Sequence, residues 1–590
     1  MRAIRRAAMN GTTIHPMKEE RGIVLIVSML VLTVLSVLGL AFLTTARTED
    51  TIAANYRNHT AAFYAAEAGV ESGVASLKAL LATTPVPTDK QLTDILAPAL
   101  TDPNYTFGAF QVTRVRTAQP YSYTSSIASG PFSGLLAART DYVVTAQVTG
   151  PRGSRAQVSQ TIQYMQIPLF QFAVFYGRGV DLEITPAPPM VIKGRVHANS
   201  NIHMYGGTSL RIESPVTTSG HMYRDIKSDP NKKKYNPEIK AADGTFKLLD
   251  FDYEVKNITY DGSTNTWDKS DAAYWKNTAL SRFGGTVMDG DMGIKDLNLP
   301  LPELLTTPAN PDVISHQIIE KGLPGDSDAL KDAKLYYQAD LRIVNGVATL
   351  KDGSAATLDP GVTTTKKFWD NRDKRYITVT EVDVKRLDGN LKTLFPTTPF
   401  NGILYVSNDA SDTGVRLVNG EKLPSTGLSL VSEKPVYIQG DYNTKDKVPA
   451  SVLADAITVL SNNWKPNNFD SDAKAKGKIS DRPAKDTTVN AAFMLGPASE
   501  SVLGTGNGQL ENVIRFLEDW DGKTINYNGS IASLWHSQHA QGQWGCCGSQ
   551  PWHYYKPPNR NWSFDTTFLT NPPPGTPMAI EIMRSRWSQM

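Results

Sequence analysis

His536-x-x-His539, with His553 a short distance on, offers three imidazoles that could hold zinc or copper. The spacing matches no compact ligand motif, and Trp535, Trp544 and Trp552 crowd the same stretch, so no metal is assigned there and no cofactor elsewhere. Asp289-Gly290-Asp291-Met292-Gly293 opens like a calcium loop. Gly293 stands where a third oxygen ligand belongs and no suitably placed Glu follows, so a glycine-rich turn is the expectation. His197, His203 and His221 fall near strand turns, where an imidazole usually serves structure. Cys546 and Cys547 are the only cysteines. Outside the cytoplasm such neighbours can close a vicinal disulfide and fix a tight turn among Trp544, Gly545, Gly548 and Trp552; two thiols are the alternative. No paired-carboxylate spacing, nucleophile elbow or phosphate loop accompanies these groups, and Asp441 and Asp455 stand alone, so the chain is expected not to be an enzyme.

The elements that would position these residues are mostly short strands. After a breaker cluster at Thr83 to Thr88, alternation over Tyr105 to Thr117, Asp141 to Thr149 and Arg155 to Met165 predicts an antiparallel meander. From Ile167 the texture changes to brief apolar runs separated by Gly and Ser: Gly194 to Met204, Leu210 to Thr217, Ile403 to Val406, Val415 to Val418, Leu428 to Val431, Val436 to Ile438, Val452 to Ala454, Ile457 to Leu460, Ala492 to Leu495 and Ile531 to Leu534. Strands this frequent, with no long helices between them, favour a β-solenoid or parallel β-helix with irregular rungs, a β-sandwich being the alternative. Tyr223 to about Gly389 is polar and reads as an insertion with strands at Ala339 to Val344 and Arg375 to Val384. Leu510, Val513, Ile514 and Leu517 predict a short helix over Gln509 to Trp520. The aromatic-rich tail Trp544 to Trp562 reads as a cap over the last rung, or else as a contact surface.

The 590 residues allow about three or four domains, and 60 basic against 58 acidic residues leave a net charge of +2. That balance, with no basic stripe interleaved with aromatics, speaks against nucleic acid; Lys232-Lys233-Lys234 reads as a solvated loop. Two cysteines do not make a disulfide scaffold, so a hydrophobic core must hold the fold.

The N-terminus is built differently. Ile23 to Leu43 is an uncharged apolar run interrupted only by the hydroxyls of Ser28, Thr33 and Ser36, long enough to cross roughly 30 Å of hydrocarbon. Arg2, Arg5, Arg6, Lys18 and Arg21 precede it, which places the N-terminus in the cytoplasm and sends the rest outward. A cleaved signal peptide would have a shorter apolar region and a small-residue site after it. Ile52, Tyr56, His59, Phe63, Ala66, Val70, Val74, Leu77 and Leu81 then recur at steps of three or four, continuing one helix to about Ala82 with an apolar stripe. Such a stripe needs cover, from the chain's own head or from copies of the same helix.

This stretch resembles the type IV pilins, and among them the PilX-type minor pilins and the related pseudopilin K of type II secretion. The residues that carry the resemblance are a charged leader ending in Gly22, the start Ile23-Val24-Leu25-Ile26-Val27, and Ala65-Ala66-Glu67-Ala68-Gly69-Val70-Glu71. Gly440 to Asn443 and Leu460 to Trp464 resemble the large C-terminal regions of PilX-like assembly proteins. The resemblance implies cleavage after Gly22 by a prepilin peptidase, methylation of Ile23, and passage from an inner-membrane precursor into an extracellular filament. Its implied partners are other pilins, the inner-membrane assembly platform and a tip adhesin. Ordinary pilins carry Glu where this chain has Val27, which suits a first, tip-located subunit, because a carboxylate with no neighbouring amine would be costly in an apolar core. Met17 to Gly22 alone would make a short leader, so either Met1 or Met17 can be the start.

The resulting expectation is an α+β chain: leader 1–22, filament-core helix 23–43, amphipathic helix 44–82, pilin-like meander 83–166, first rungs 167–222, polar insertion 223–389, main solenoid 390–540 and cap 541–590. The expected function is that of a minor pilin that initiates or caps a filament; a pilus-borne adhesin and a β-helix enzyme acting on polysaccharide are the alternatives.

Overall fold

The computed structural model describes residues 21–589, apart from 187, 207–208, 229–235, 252–257, 261–262, 266–272, 306–307, 501–506, 508 and 548–552. Leader residues 1–20, the Lys232 run, Trp267, Gly548 and Trp552 therefore lie outside the described residues. One helix, α1 (Arg21–Thr83), spans 63 residues and joins both sequence patterns without a break. The antiparallel head sheet follows, with strands β1 (Thr106–Arg114), β2 (Tyr123–Ser126), β3 (Leu136–Thr149) and β4 (Arg155–Pro168). Strict alternation along β3 and β4 turns Tyr142, Val144, Ala146, Val148, Val158, Ile162 and Tyr164 onto Ala62, Ala66, Val70, Val74, Leu77 and Leu81 of α1. Helix and sheet bury each other's apolar face.

The order across this sheet is β1, β3, β4 and then the C-terminal strand Met578–Gln589, with β2 pairing on β3. Of the cap expected over 541–590, residues 578–589 are thus a head strand, and Asn559–Phe564 pairs in parallel with Thr524–Gly529 as a further rung. Met578 pairs with Pro168 and Ile582 with Tyr164, and Ile580 joins the core under α1. Arg584 and Trp587 flank a break in register, where Gln160 Nε2 donates to the carbonyls of Ser585 and Arg586 at 3.3 and 3.2 Å. Everything between β4 and this strand is consequently an insertion into the head.

That insertion is a stack of parallel rungs. Val174–Tyr176, Leu182–Ile184 and Met190–Ile192 make one turn; Val196–Ala198, Ile202–Met204 and Leu210–Ile212 make the next. Each strand pairs in parallel with its counterpart, Val174 with Val196, Leu182 with Ile202 and Met190 with Leu210, as expected of a β-solenoid. One ladder position runs through Val287, Val216, Val196, Val174, Ile531, Phe493, Val452, Leu430, Leu404 and Leu341, all buried. The chain enters this stack at its middle, builds outward to Val287, reappears at the far end at Leu341, and returns to place Ile531 against Val174.

The polar insertion expected over 223–389 is therefore woven into the stack: Glu238–Lys240, Val287–Met288, Leu341–Val344 and Arg375–Asp383 all pair with rungs on either side of it. The boundaries at 223, 389 and 541 do not separate structural units. Gln509 to Trp520 is not a helix beyond the single turn Leu510–Asn512. Val459 donates to the Arg515 carbonyl and Arg515 to that of Ile457, both at 2.9 Å, so the segment is a rung. Leu510, Val513, Ile514, Phe516, Leu517 and Trp520 are all buried, and pairing with a neighbouring rung overrides the helical spacing.

Candidate functional site

The apolar half of α1 is a bare surface. Residues 23–43 are exposed throughout and include an 18-residue window of mean hydropathy 2.9, none of it buried. No charge occurs between Arg21 and Arg47. Its hydroxyls are spent internally: Ser28, Thr33 and Ser36 donate to the carbonyls of Leu25, Met29 and Leu32 at 2.9, 2.7 and 2.7 Å. The helix therefore shows a neighbour only aliphatic and aromatic groups. Gly22 and Ile23 lie in its first turn, and Val27 is 53% exposed on this surface.

The stripe expected along the second half is divided. Ile52 and Tyr56 are exposed like the apolar run, whereas cover by the head begins at Ala62. About 38 residues of helix, roughly 57 Å at 1.5 Å per residue, thus project beyond the head. The covered part is reinforced from the C-terminal strand, where Arg584 grips Glu71 through two bonds of 2.5 and 2.6 Å and Trp587 meets Phe63 edge-on. The Arg584 guanidinium hydrogen-bonded to Glu71 holds that carboxyl below its ordinary value. Gly69 and Gly73 face the sheet closely: a Cβ on Gly73 would lie 2.6 Å from Val144 Cγ1.

The candidate metal ligands of the tail do not meet. His536 Nδ1 lies 3.0 Å from Asp312 Oδ2, while His539 donates its backbone N–H to Asp455; among the described residues neither shares a ligand cluster with His553. Asp455, solitary in the sequence, is fully buried and accepts bonds from Ser537 Oγ and from the backbone of Gln538 and His539. The reason for His536-x-x-His539 is thus a turn pinned on Asp455. Opposite it stands a group that sequence reading missed, His316, with Nδ1 2.8 Å from Glu320 Oε1 and Nε2 3.4 Å from Asp455 Oδ1. Glu320 lies four residues further along the chain, but no local pattern could have found the pairing with Asp455, which comes from a distant segment.

Cys546 and Cys547 are joined by a disulfide, with their Cα atoms 3.7 Å apart. Trp544 Nε1 donates to Tyr555 Oη at 2.9 Å beside it. His197 is buried between Thr217 Oγ1 and Asn199 Oδ1, each at 2.9 Å, and burial drives its imidazole down to about 4. His203 binds Asp225 at 2.7 Å and stacks on Tyr223. Asp441, from the Gly440 to Asn443 segment, accepts from Asn462 Nδ2 and the Thr488 backbone, each at 2.8 Å, and so ties rung corners together. Asp289 to Gly293 is a tight turn closed by Gly293 at φ 91°. It does, however, bring Asp289 and Asp291 to His221.

Among solved structures the chain is similar to the crystal structure of the competence-associated pilin ComZ from Thermus thermophilus, at 12% identity over 90% of this chain and 98% of that one, with a TM-score of 0.28. At that score nothing is argued from the likeness. A comparison with curated proteins finds no match. The family model for the PilX N-terminal region matches residues 21–71, the stretch that comprises the bare half of α1 and the Ala65 to Glu71 segment seated on the head. Residues 21–71 thus match the PilX N-terminal region, carried on a long helix that is followed by a β-rich body.

Proposed function

We propose that this protein is a non-enzymatic minor pilin that enters a type IV pilus-like filament as its first subunit. The observation that carries the reading is the division of α1: Ala62 to Leu81 is covered by the chain's own head, whereas residues 23–43 have no cover and no polar group to offer. Such an arm suits a bilayer first and a bundle of identical arms afterwards. Prepilin peptidase would cut after Gly22, methylation would fall on Ile23, and the neighbours in the bundle would be other pilins drawn from the inner membrane by the assembly platform.

Two features favour the tip. Val27 needs no amine from a subunit above it. The rung stack is also most of the mass, and a body of that size at every step of a closely packed shaft would collide with its copies. The body is then what the filament shows to its surroundings, directly or through a tip adhesin. Immunogold labelling of sheared filaments tests the position: label at one end is expected, and dense label along the shaft overturns it. Mass spectrometry of the mature chain tests the processing. A start at methylated Ile23 is expected, and a start beyond residue 40 refutes it.

A further inference from the structure

The turn at Asp289 takes no part in the pilin reading. Its carboxylate is fully buried, and Oδ1 accepts the Asp291 backbone N–H at 3.1 Å, capping the turn Gly290–Met292. Oδ2 is buried with no hydrogen-bond partner. An oxygen left in that state costs on the order of 1–3 kcal/mol, and more when charged. The group it faces is His221 Nδ1, 3.6 Å away. Trp275 Nε1 is buried beside it.

His221 comes from the corner between Val216–Thr218 and Met222–Tyr223, far from Asp289 in the sequence. Backbone contacts fix the approach. Val287 pairs with Val216, Gly290 donates its N–H to the Gly220 carbonyl at 3.0 Å, and the Ser219 carbonyl occupies the space a Cβ on residue 290 would need. Asp291 completes the group: one ligand atom from each of His221, Asp289 and Asp291 lies within 4.8 Å of the other two. The 3.6 Å between imidazole nitrogen and carboxylate oxygen exceeds a hydrogen bond. It is close to the roughly 3.3–3.6 Å that separates two tetrahedral ligands each about 2.0–2.2 Å from a zinc ion.

We propose that His221, Asp289 and Asp291 bind a divalent transition-metal ion, zinc, with water in the fourth position on the exposed Asp291 side. One nitrogen and two carboxylates suit zinc. Calcium would ask for six to eight oxygens. The ion gives Asp289 Oδ2 the partner it lacks and staples the chain at Val287 to Gly293 onto the rung that ends at Tyr223.

The test uses the full-length chain in detergent, stripped with chelator, desalted, and titrated with zinc chloride. Bound metal is read by mass spectrometry of the metal, and zinc affinity by calorimetry. One equivalent of zinc is expected, with affinity falling at least tenfold in Asp289→Asn and in His221→Gln. Asp289→Asn keeps an oxygen to cap the Asp291 N–H, so its melting temperature in chelator should equal that of the parent, while zinc should raise the melting temperature of the parent alone. Less than a tenth of an equivalent in the parent at micromolar zinc overturns the site. So does uptake unchanged in both variants, or binding of calcium in preference to zinc.

Discussion

Substituting Gly73 by alanine sets two effects of known sign against each other. In a helix interior Gly→Ala gains about 1 kcal/mol of propensity. The new methyl group would sit 2.6 Å from Val144 Cγ1 and 2.9 Å from Phe110 Cζ, closer than carbon atoms approach. Val144 cannot easily yield, since it is β-branched, fully buried, and held in β3 between Val112 and Gln160 on the neighbouring strands. Overpacking of that kind costs roughly 1–3 kcal/mol. Gly73→Ala should therefore destabilise the contact between α1 and the sheet by about 0–2 kcal/mol, toward the upper end because Val144 cannot yield.

Gly69 and Gly39 serve as controls. At Gly69 the closest atom is Phe107 Cε1 at 2.5 Å, the far end of a half-buried ring on the outer strand β1 next to a register break, and it can swing aside. Gly69→Ala should therefore come out near zero. Gly39 has nothing within 4 Å, and its alanine variant should only gain. Large chains do not generally unfold in one two-state step, so the suitable assay is hydrogen exchange of peptides covering residues 66–80 and 142–148. Faster exchange in Gly73→Ala alone is expected. Unchanged or slower exchange there, with faster exchange in Gly69→Ala, would refute the packing argument.

Removing residues 578–589 should strip Ile580 from the head core and bare the edge of β4, making the Tyr105 to Pro168 region protease-sensitive while leaving the rungs protected; an intact head by limited proteolysis contradicts the insertion topology. Burial alone would lower the His316 imidazole, but the Asp455 carboxylate facing Nε2 and the Glu320 carboxylate bonded to Nδ1 raise it from 6.5 to about 9. Its contribution is then complete below about pH 6.5 and is lost as pH rises through about 9, so exchange of residues 311–320 should quicken on that alkaline side, and quickening on the acid side instead would argue against a protonated His316. Val27→Glu should leave incorporation into filaments unchanged or lower, because a tip subunit has no amine above it to meet the carboxylate; a clear rise in copies per filament would favour a place in the shaft.

The helix was legible because its evidence is local: an uncharged run of sufficient length, then apolar residues at steps of three and four. Where the stripe passes from bare to covered was not, because Ile52 and Val70 look alike until the length of the sheet beneath them is known. The rungs were legible as strands through triplets such as Ile202 to Met204, and the frequency of those strands pointed to stacking. Their order was hidden, since nothing near Val174 says that its neighbours are Val196 on one side and Ile531 on the other. The last head strand did leave a signal, the alternation of Met578, Ile580 and Ile582, masked by the aromatic residues before it. His316 with Asp455, and His221 with Asp289, were beyond reach because each pair joins segments distant in the sequence.

An inserted body differs mechanically from an appended one. A domain hung on a single linker can rotate about it, but this stack leaves the head through Pro168 and returns through Met578, which are paired partners at the end of adjacent antiparallel strands. The Leu169 N–H donates to the Pro577 carbonyl at 3.0 Å, so the ladder continues into the junction itself. Inside the stack the same doubling recurs, because the entering strand at Val174 and the late strand at Ile531 lie side by side. Pulling on α1 would load two covalent connections held together by sheet hydrogen bonds, in shear along the strands rather than strand by strand. In the proposed place at the end of a filament, that arrangement would fix the orientation of whatever the body presents and transmit traction to it without a hinge.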